Sequence, residues 1–403
     1  MQQNNKTPKT AVIMPAYNSG ATIEASVRSI LNQTVSNLVL IVVDDGSTDD
    51  TAAVLEKLRV EDERLIPMTV PNGGPAKARN LALDAVPEDA EYIMFADSDD
   101  LLESDALEYA LTEGRGADLV LMGFSIKNTD GSTASYYEAE QHLDPAALGE
   151  NLGRLYKANL LNQVWAKLFS AEMVKSGQIR FPDYRWGEDR LFIFDCLERA
   201  GSVAVLPECK YSYIMHPGQS LISSYYDKKF EVCLAADTRA QQLCRRFGAE
   251  DDEDFRYMFA KSVFSCLTTL FSPGCRLNRN EKRDVIRGII TNEQLRERSR
   301  KPFGGAAVKL LCAVMRDKNA AEIVHALSGF AGQAVCTVAE PGRGLPAEAL
   351  AKLFACPAVA EENPKKAYER AKKLAKEKEA LLVVAGSLYL PEAIGIEEKS
   401  KDA

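Results

Sequence analysis

Residues 38–51 read LVLIVVDDGSTDDT, six aliphatic side chains followed at once by Asp44, Asp45, Gly46 and Ser47. An aliphatic run without alternation is the pattern of a strand covered on both faces, as in a parallel sheet. A polar cluster at its carboxyl end lies where open α/β sheets place their ligands. The arrangement recurs on either side. Thr10–Met14 is a short apolar strand pattern running into Pro15, Ala16, Tyr17 and Asn18, and a strand over Tyr92–Ala96 ends in Asp97, Ser98, Asp99 and Asp100. Helical periodicities fill the gaps: Ile23, Val27, Ile30 and Leu31 share one face of a helix over 21–33. Ser47 followed by Asp50 offers a capping signal for a helix carrying Val54, Leu55 and Leu58. A strand at Leu65–Val70 and a helix at Pro75–Ala85 complete the series. Such alternation implies right-handed crossovers and a parallel sheet with helices on both faces, an α/β fold.

At 403 residues the chain exceeds one ordinary domain, and two or three of roughly 150 residues are expected. With 46% hydrophobic and 27% charged residues it is globular. Its 49 basic and 58 acidic residues leave a net charge of −9, which argues against nucleic-acid binding. No apolar run approaches the roughly 18 residues of a membrane span, and residues 1–6 offer no apolar signal segment. Nine cysteines without a CxxC pair read as buried thiols of a reducing compartment. A soluble, cytoplasmic protein of more than one part is the expectation.

Asp97 and Asp99 are spaced two apart at a strand end. Carboxylate oxygens suit hard cations such as Mg²⁺ or Mn²⁺, which bind one or two carboxylates together with substrate phosphates. Farther on, Gly187, Glu188 and Asp189 precede an apolar helix, Leu191–Leu197. The two acids there read either as an acid–base site or as first-turn residues complementing the helix dipole. Trp165 and Trp186, the only tryptophans, either stack on a sugar or pack in the core. There is no GxSxG elbow, no GxGxxG, no Walker loop and no His/Cys cluster with zinc spacing.

AVIMPAYNSGATIEASVRSILNQT, VLIVVDDGSTDDT, NGGPAKARNLAL and YIMFADSDD, with VWAKLFSAEMVKSGQIRFPDYRWGEDRLFIFDCLERA later, resemble a family-2 glycosyltransferase of the GT-A fold over residues 9–224. That fold is a Rossmann-like mixed sheet flanked by helices. The resemblance implies that Pro15, Tyr17, Asp44 and Asp45 line the nucleoside pocket of a nucleotide-sugar donor, a UDP-sugar. It implies that Asp97 and Asp99 hold Mn²⁺ or Mg²⁺ with the ribose and diphosphate, and that Arg79 lies near the diphosphate. His216 stands where the family often has a polar residue near the diphosphate, although a lone histidine is also commonly structural. Asp189, beside Glu188, resembles the catalytic base of inverting members. The acceptor would be a glycan or lipid-linked hydroxyl.

A helical, charged stretch follows, with Phe255, Phe259, Val263, Phe264 and Leu267 at helical spacings. In the family such a segment packs over the acceptor side, binds a partner or associates peripherally with the inner face of the plasma membrane. After Lys301–Gly305 a second alternation begins: strands at Lys309–Met315, Gln333–Val338 and Leu381–Ala385, with helices at Ala320–Phe330, Pro346–Phe354 and Asn363–Ala380. The segment at about 307–394 resembles the C-terminal part of a folylpolyglutamate synthase of the Mur-ligase type, through Asp317-Lys318, Arg343 and Gly386–Leu390. It lacks that domain's first strand, which leaves an apolar edge to cover. No Gly-Lys pair occurs in the chain, so a P-loop and ligase activity are not expected. The division read from the sequence is a transferase domain at 1–225, a helical extension at 226–303 and an incomplete Rossmann-like α/β segment at 304–403. Two functions follow: a metal-dependent inverting glycosyltransferase extending a bacterial surface glycan, or a non-catalytic scaffold built on a decayed transferase.

Overall fold

The computed structural model describes residues 7–216, 225–248, 253–270, 272, 274–298, 308–314, 316, 320–321, 324, 331–338, 342–377 and 381–386. The contacts divide the chain into two compact units, residues 1–255 and 256–403.

The first unit runs β1 (Thr10–Ala16), α1 (Ile23–Leu31), β2 (Leu38–Asp44), α2 (Thr51–Glu61), β3 (Leu65–Thr69), α3 (Pro75–Asp84) and β4 (Tyr92–Phe95). It continues β5 (Leu101–Leu102), α4 (Ala106–Glu113), β6 (Leu119–Lys127), β7 (Thr133–Tyr136), β8 (Gln141–Leu143) and α5 (Pro145–Lys157). Then come β9 (Lys167–Ser170), α6 (Ala171–Ser176), α7 (Glu188–Arg199), β10 (Val203–Ile214) and α8 (Lys229–Arg246).

One sheet takes the order β3-β2-β1-β4-β9-β6-β10-β5, with β7 on β6 and β8 on β10. β3, β2, β1 and β4 are mutually parallel, as the strand–helix alternation requires. Every residue of β2 is buried, the outcome expected of its unbroken aliphatic run. The parallel part read from the first hundred residues ends at β4, and the mixed sheet that the family resemblance implies follows. β9 inserts antiparallel to both β4 and β6, so the sheet is mixed. The cause is a long-range pairing that local alternation does not encode.

Parallel pairing in register brings the carboxyl ends of β1, β2 and β4 together. Pro15 is tolerated in β1 because β4 ends at Phe95, opposite Ile13. The missing N–H therefore leaves no ladder partner on that side. Helix α1 buries Ile23, Val27, Ile30 and Leu31, the face read from the sequence. Helix α2 corrects its expected cap: Asp50 makes no side-chain capping bond, while Asp49 accepts from the Thr51 amide at 3.1 Å. Ser47 instead donates its amide to Asp44 at 3.0 Å. Gly187 precedes α7 with φ 79°, and a Cβ there would lie 2.7 Å from Val232. Backbone conformation and packing both demand glycine at this turn.

The core beneath α7 is aromatic. Phe95 of β4 meets Phe169 of β9, Phe181 and Phe192 of α7 edge-on at 5.3–5.6 Å, and Phe181 stacks on Phe192 at 4.1 Å. Edge-to-face pairs add stabilisation beyond the area they bury, and this set joins both halves of the sheet to α7.

The second unit holds most of α9 (Glu253–Thr269), then α10 (Arg279–Thr291) and α11 (Glu293–Arg298). Asn278 and Glu281 form a capping box on α10. A four-stranded parallel sheet follows, built from β11 (Val308–Ala313), β12 (Gln333–Cys336), β13 (Ala358–Ala360) and β14 (Leu381–Gly386) in the order β13-β12-β11-β14. α12 (Ala347–Ala351) packs on β12 and β13, and α13 (Pro364–Glu377) on β11 and β12 through Ala367 and Ala371. Strand β13 had no counterpart in the sequence reading. At three half-buried residues it is a short sheet edge. The linker Lys301–Gly305, Asp317-Lys318, most of the helix expected at Ala320–Phe330 and Ser387–Leu390 lie outside the described residues.

Phe192→Ala is expected to destabilise the first unit by about 3–5 kcal/mol, because it empties the centre of the aromatic set. Phe192→Leu should cost less. Urea midpoints measure both, and a midpoint unchanged in the alanine variant would remove this cluster from its structural role.

Candidate functional site

The polar strand ends are zipped to one another. Asn18, at φ 50°, donates its amide to Ser47 Oγ at 2.9 Å and accepts from the Thr48 amide at 2.8 Å. Asp49 accepts from the Gly20 amide at 2.9 Å. Asp45 accepts from the amides of Gly73 and Gly74 at 2.7 and 2.8 Å, which clamps the turn before α3. Asp44 Oδ2, by contrast, is buried with no hydrogen-bond partner among the described residues. Tyr17 projects at 52% exposure from the end of β1. Pro15, Tyr17, Asp44 and Asp45 thus lie along one sheet edge, with an exposed ring and an unused acceptor.

A second group gathers around Arg79 of α3. This guanidinium is almost fully buried and donates to Asp97 Oδ1 at 3.0 Å, Glu188 Oε1 at 3.1 Å and Asp189 Oδ1 at 2.9 Å. Phe181 lies under it at 5.4 Å, and Asn80 fixes Phe181 by donating to its carbonyl and accepting from its amide. Burial alone would lower the Arg79 pKa, but the charges of Asp189, Asp97 and Glu188 together hold it above its ordinary value. Burial pushes the Asp189 carboxyl up, the charge of Asp97 adds to this, and Arg79 opposes both. Glu188 is likewise raised, by burial and then by Asp189. The Val164 amide also donates to Asp189 Oδ2 at 3.4 Å.

The loop carrying Asp97 and Asp99 is held from below by two residues the sequence reading did not single out. Tyr211 donates to Asp100 Oδ2 at 2.7 Å and accepts from the Asp97 amide at 3.1 Å. Asp100 also accepts from the Ile214 amide at 2.9 Å. The signal for Asp100 was its place in the acidic run; Tyr211 carried none. From the other side, Ser98 Oγ bonds Ser19 Oγ at 2.7 Å and ties the loop to the end of β1.

Asp99 is part-exposed, and its Oδ2 lies 3.9 Å from His216 Nε2. His216 Nε2 is buried with no hydrogen-bond partner among the described residues. Burial, and then the charge of Asp97, raise the Asp99 carboxyl. Asp99 and His216 thus put a carboxylate oxygen and an unpartnered imidazole nitrogen side by side, donor types that a divalent cation accepts. Among the described residues no group of three His, Cys, Asp or Glu side chains is placed to hold a metal ion. Residues 217–220, which follow His216, lie outside the described residues.

The two tryptophans differ. Trp165 is 8% exposed and stacks on Tyr211 at 4.7 Å, so it belongs to the wall of the core. Trp186 is half-buried, with Arg190 and Lys229 over its ring at 5.4 and 4.8 Å.

Lys167 of β9, absent from the sequence reading, is buried behind this group and donates to the Trp165 carbonyl at 3.3 Å. Burial lowers its pKa to about 7 against the partial opposition of Asp189. Its unfolded value is ordinary, near 10.5. The unfolded chain therefore binds the extra proton between these values, and the contribution of Lys167 to stability rises with pH across that window. Lys167→Met should raise the melting temperature most at or below pH 7, with the gain shrinking towards pH 10. A pH-independent difference between variant and parent in thermal melts would contradict this.

A family model described as Glycosyl transferase family 2 matches residues 11–173. An uncharacterized glycosyltransferase of Haemophilus influenzae is 30% identical over 220 residues, covering 54% of this chain and 82% of that protein. Hyaluronan synthase of Pasteurella multocida is 43% identical over 109 residues, 27% of this chain and 11% of that protein. Among solved structures, residues 1–349 of S. aureus TarS in complex with UDP-GlcNAc superpose with a TM-score of 0.52 at 22% identity, over 65% of this chain and 81% of that one. That likeness bears out the GT-A fold. Among the described residues no helix is long and apolar enough to cross a membrane. With the matched motifs on the strand ends that face one another here, the chain belongs to glycosyltransferase family 2, and it is a glycosyltransferase.

Proposed function

We propose that the chain is a metal-dependent, inverting transferase that moves a sugar from a UDP-sugar to a hydroxyl of a growing bacterial surface glycan, free or lipid-linked. The observation that carries this reading is Arg79, which joins Asp97, on the donor side, to Glu188 and Asp189, on the acceptor side, through one buried guanidinium. An inverting displacement needs a leaving group and a base on opposite sides of one carbon. The UDP-GlcNAc bound to TarS supports the donor class, and the hyaluronan synthase relative supports a polysaccharide product.

In this reading Tyr17 stacks on the base over Pro15, and the unpartnered Asp44 Oδ2, with Asp45 beside it, accepts from the base's N–H. Asp97 and Asp99, with His216 beside Asp99, would hold Mn²⁺ or Mg²⁺; that cation supplies charge neutralisation for the diphosphate leaving group. Asp189 takes the proton of the acceptor hydroxyl as its oxygen attacks the anomeric carbon and the bond to the diphosphate breaks. Burial raises its carboxyl, which makes it a stronger base than an exposed aspartate. Glu188 shares Arg79 with Asp189, which keeps the cation from neutralising the base alone. The domain division at 225 and 303, the ligase-like origin of the tail and peripheral association with the membrane's inner face belong to the same reading.

A thermal-shift panel of UDP-, GDP- and dTDP-sugars with and without Mn²⁺ tests the donor, since a ligand of the native state raises its melting temperature. UDP-sugars with Mn²⁺ are expected to give the largest shift. Asp189→Asn and Asp99→Asn should each lower UDP release to acceptor by at least about 100-fold. Full activity in either variant would sink the mechanism.

A further inference from the structure

The aromatic wall between the two carboxylate groups has no role in the reading above. Trp165 lies across two residues of β10, parallel to Tyr211 at 4.7 Å and 6° and to Tyr213 at 5.5 Å and 11°. Phe124 meets Trp165 edge-on at 4.8 Å, which fixes the indole from a third side. The backbone adds its own constraint: Ala166, fully buried, has φ 55°. A non-glycine residue in the left-handed region is held there only by surrounding structure, and such residues gather at functional sites.

Of the stacked rings, Tyr211 is fully buried and spent on the Asp97 and Asp100 loop, whereas Tyr213 is half-exposed. The Tyr213 hydroxyl makes no hydrogen bond among the described residues. It adjoins Ile214, whose amide holds Asp100, and Trp165 adjoins Val164, whose amide holds Asp189. Through Tyr211 the stack holds the Asp97 amide, and Val164, next to Trp165 in the chain, holds Asp189. In the donor-sugar reading above, the transferred sugar lies between the diphosphate side, at Asp97, and the base, Asp189.

We propose that Tyr213, backed by Trp165, forms a subsite for the pyranose being transferred, its ring against the sugar's C–H face and its hydroxyl donating to a sugar hydroxyl. The assignment rests on the donor-sugar reading above. A phenol keeps its proton at neutral pH, so the Tyr213 hydroxyl is available as a hydrogen-bond donor. A phenol between ring and carboxylates distinguishes epimers, because a hydroxyl presented to it in the wrong orientation leaves a part-buried donor unpaired.

Calorimetric titration of UDP, UDP-glucose, UDP-galactose and UDP-GlcNAc, with Mn²⁺, into the parent chain, Tyr213→Phe and Tyr213→Ala tests this. UDP lacks the sugar and reports the nucleotide site and the fold alone. Tyr213→Phe should weaken the preferred UDP-sugar about tenfold, narrow the differences among the sugars and leave UDP within about twofold. Tyr213→Ala should weaken it further by removing the ring, again with UDP unchanged. Equal binding of the UDP-sugars by parent and Tyr213→Phe overturns the subsite. So does a parallel loss for UDP and UDP-sugar, which would make Tyr213 a support of the Asp97 loop. A parent chain that binds neither UDP nor any UDP-sugar would instead overturn the proposed function, and this inference with it.

Discussion

One buried cation answers for three carboxylates, of which Glu188 is buried and Asp97 and Asp189 are part-exposed. Arg79 is the meeting point of α3, the end of β4 and the first turn of α7, and each of its ion pairs crosses between separate stretches of chain. Ions removed from water cost several kcal/mol each unless they are well paired. The buried pair Arg79 and Glu188 tolerate burial because they face each other, and part-exposed Asp97 and Asp189 complete the pairing of the guanidinium.

The apolar structure explains why this geometry is rigid. Phe181 floors Arg79 and stacks on Phe192, whose helix carries Glu188 and Asp189 two turns or less away. Phe95 leads directly into the loop of Asp97. The same aromatic cluster thus anchors both ends of the charge group, so close packing and the ion pairs to Arg79 together hold the mutually repelling carboxylates in place. Tyr211 and Asp100 do the equivalent for the loop from beneath, through neutral and charged hydrogen bonds that a buried tyrosine makes well.

Much of this was legible in the sequence, and the division between legible and hidden is physical. The four parallel strands, the buried face of α1 and the glycine turn before α7 follow from local patterns: an unbroken aliphatic run, a 3.6-residue period, a Gly beside a bulky neighbour. The acids at the strand ends were visible because polar residues end apolar strands there. What the sequence concealed depends on partners far along the chain. β9 joins β4 and β6 against the parallel trend; Lys167 reads as an ordinary strand lysine until its burial is known; Tyr211 looks like any aromatic in a strand. Asp49 displaced Ser47 as the contributor at α2 because Ser47 was already engaged with Asp44 and Asn18, a competition no local pattern records.

The insertion of β9 also dictates an order of assembly. As the chain leaves the ribosome, β1 to β4 are complete long before β9 exists, and β4 then presents Ile93, Met94 and Phe95 along an unpaired edge. Everything from β5 through α5 must emerge before that edge is covered. The nascent protein thus passes through a stage in which the parallel half of the sheet is shaped, an adhesive strand is open to neighbouring chains, and Arg79 still lacks two of its three anions. Chaperone demand during synthesis is built into the topology at this one strand, independently of how stable the finished fold becomes.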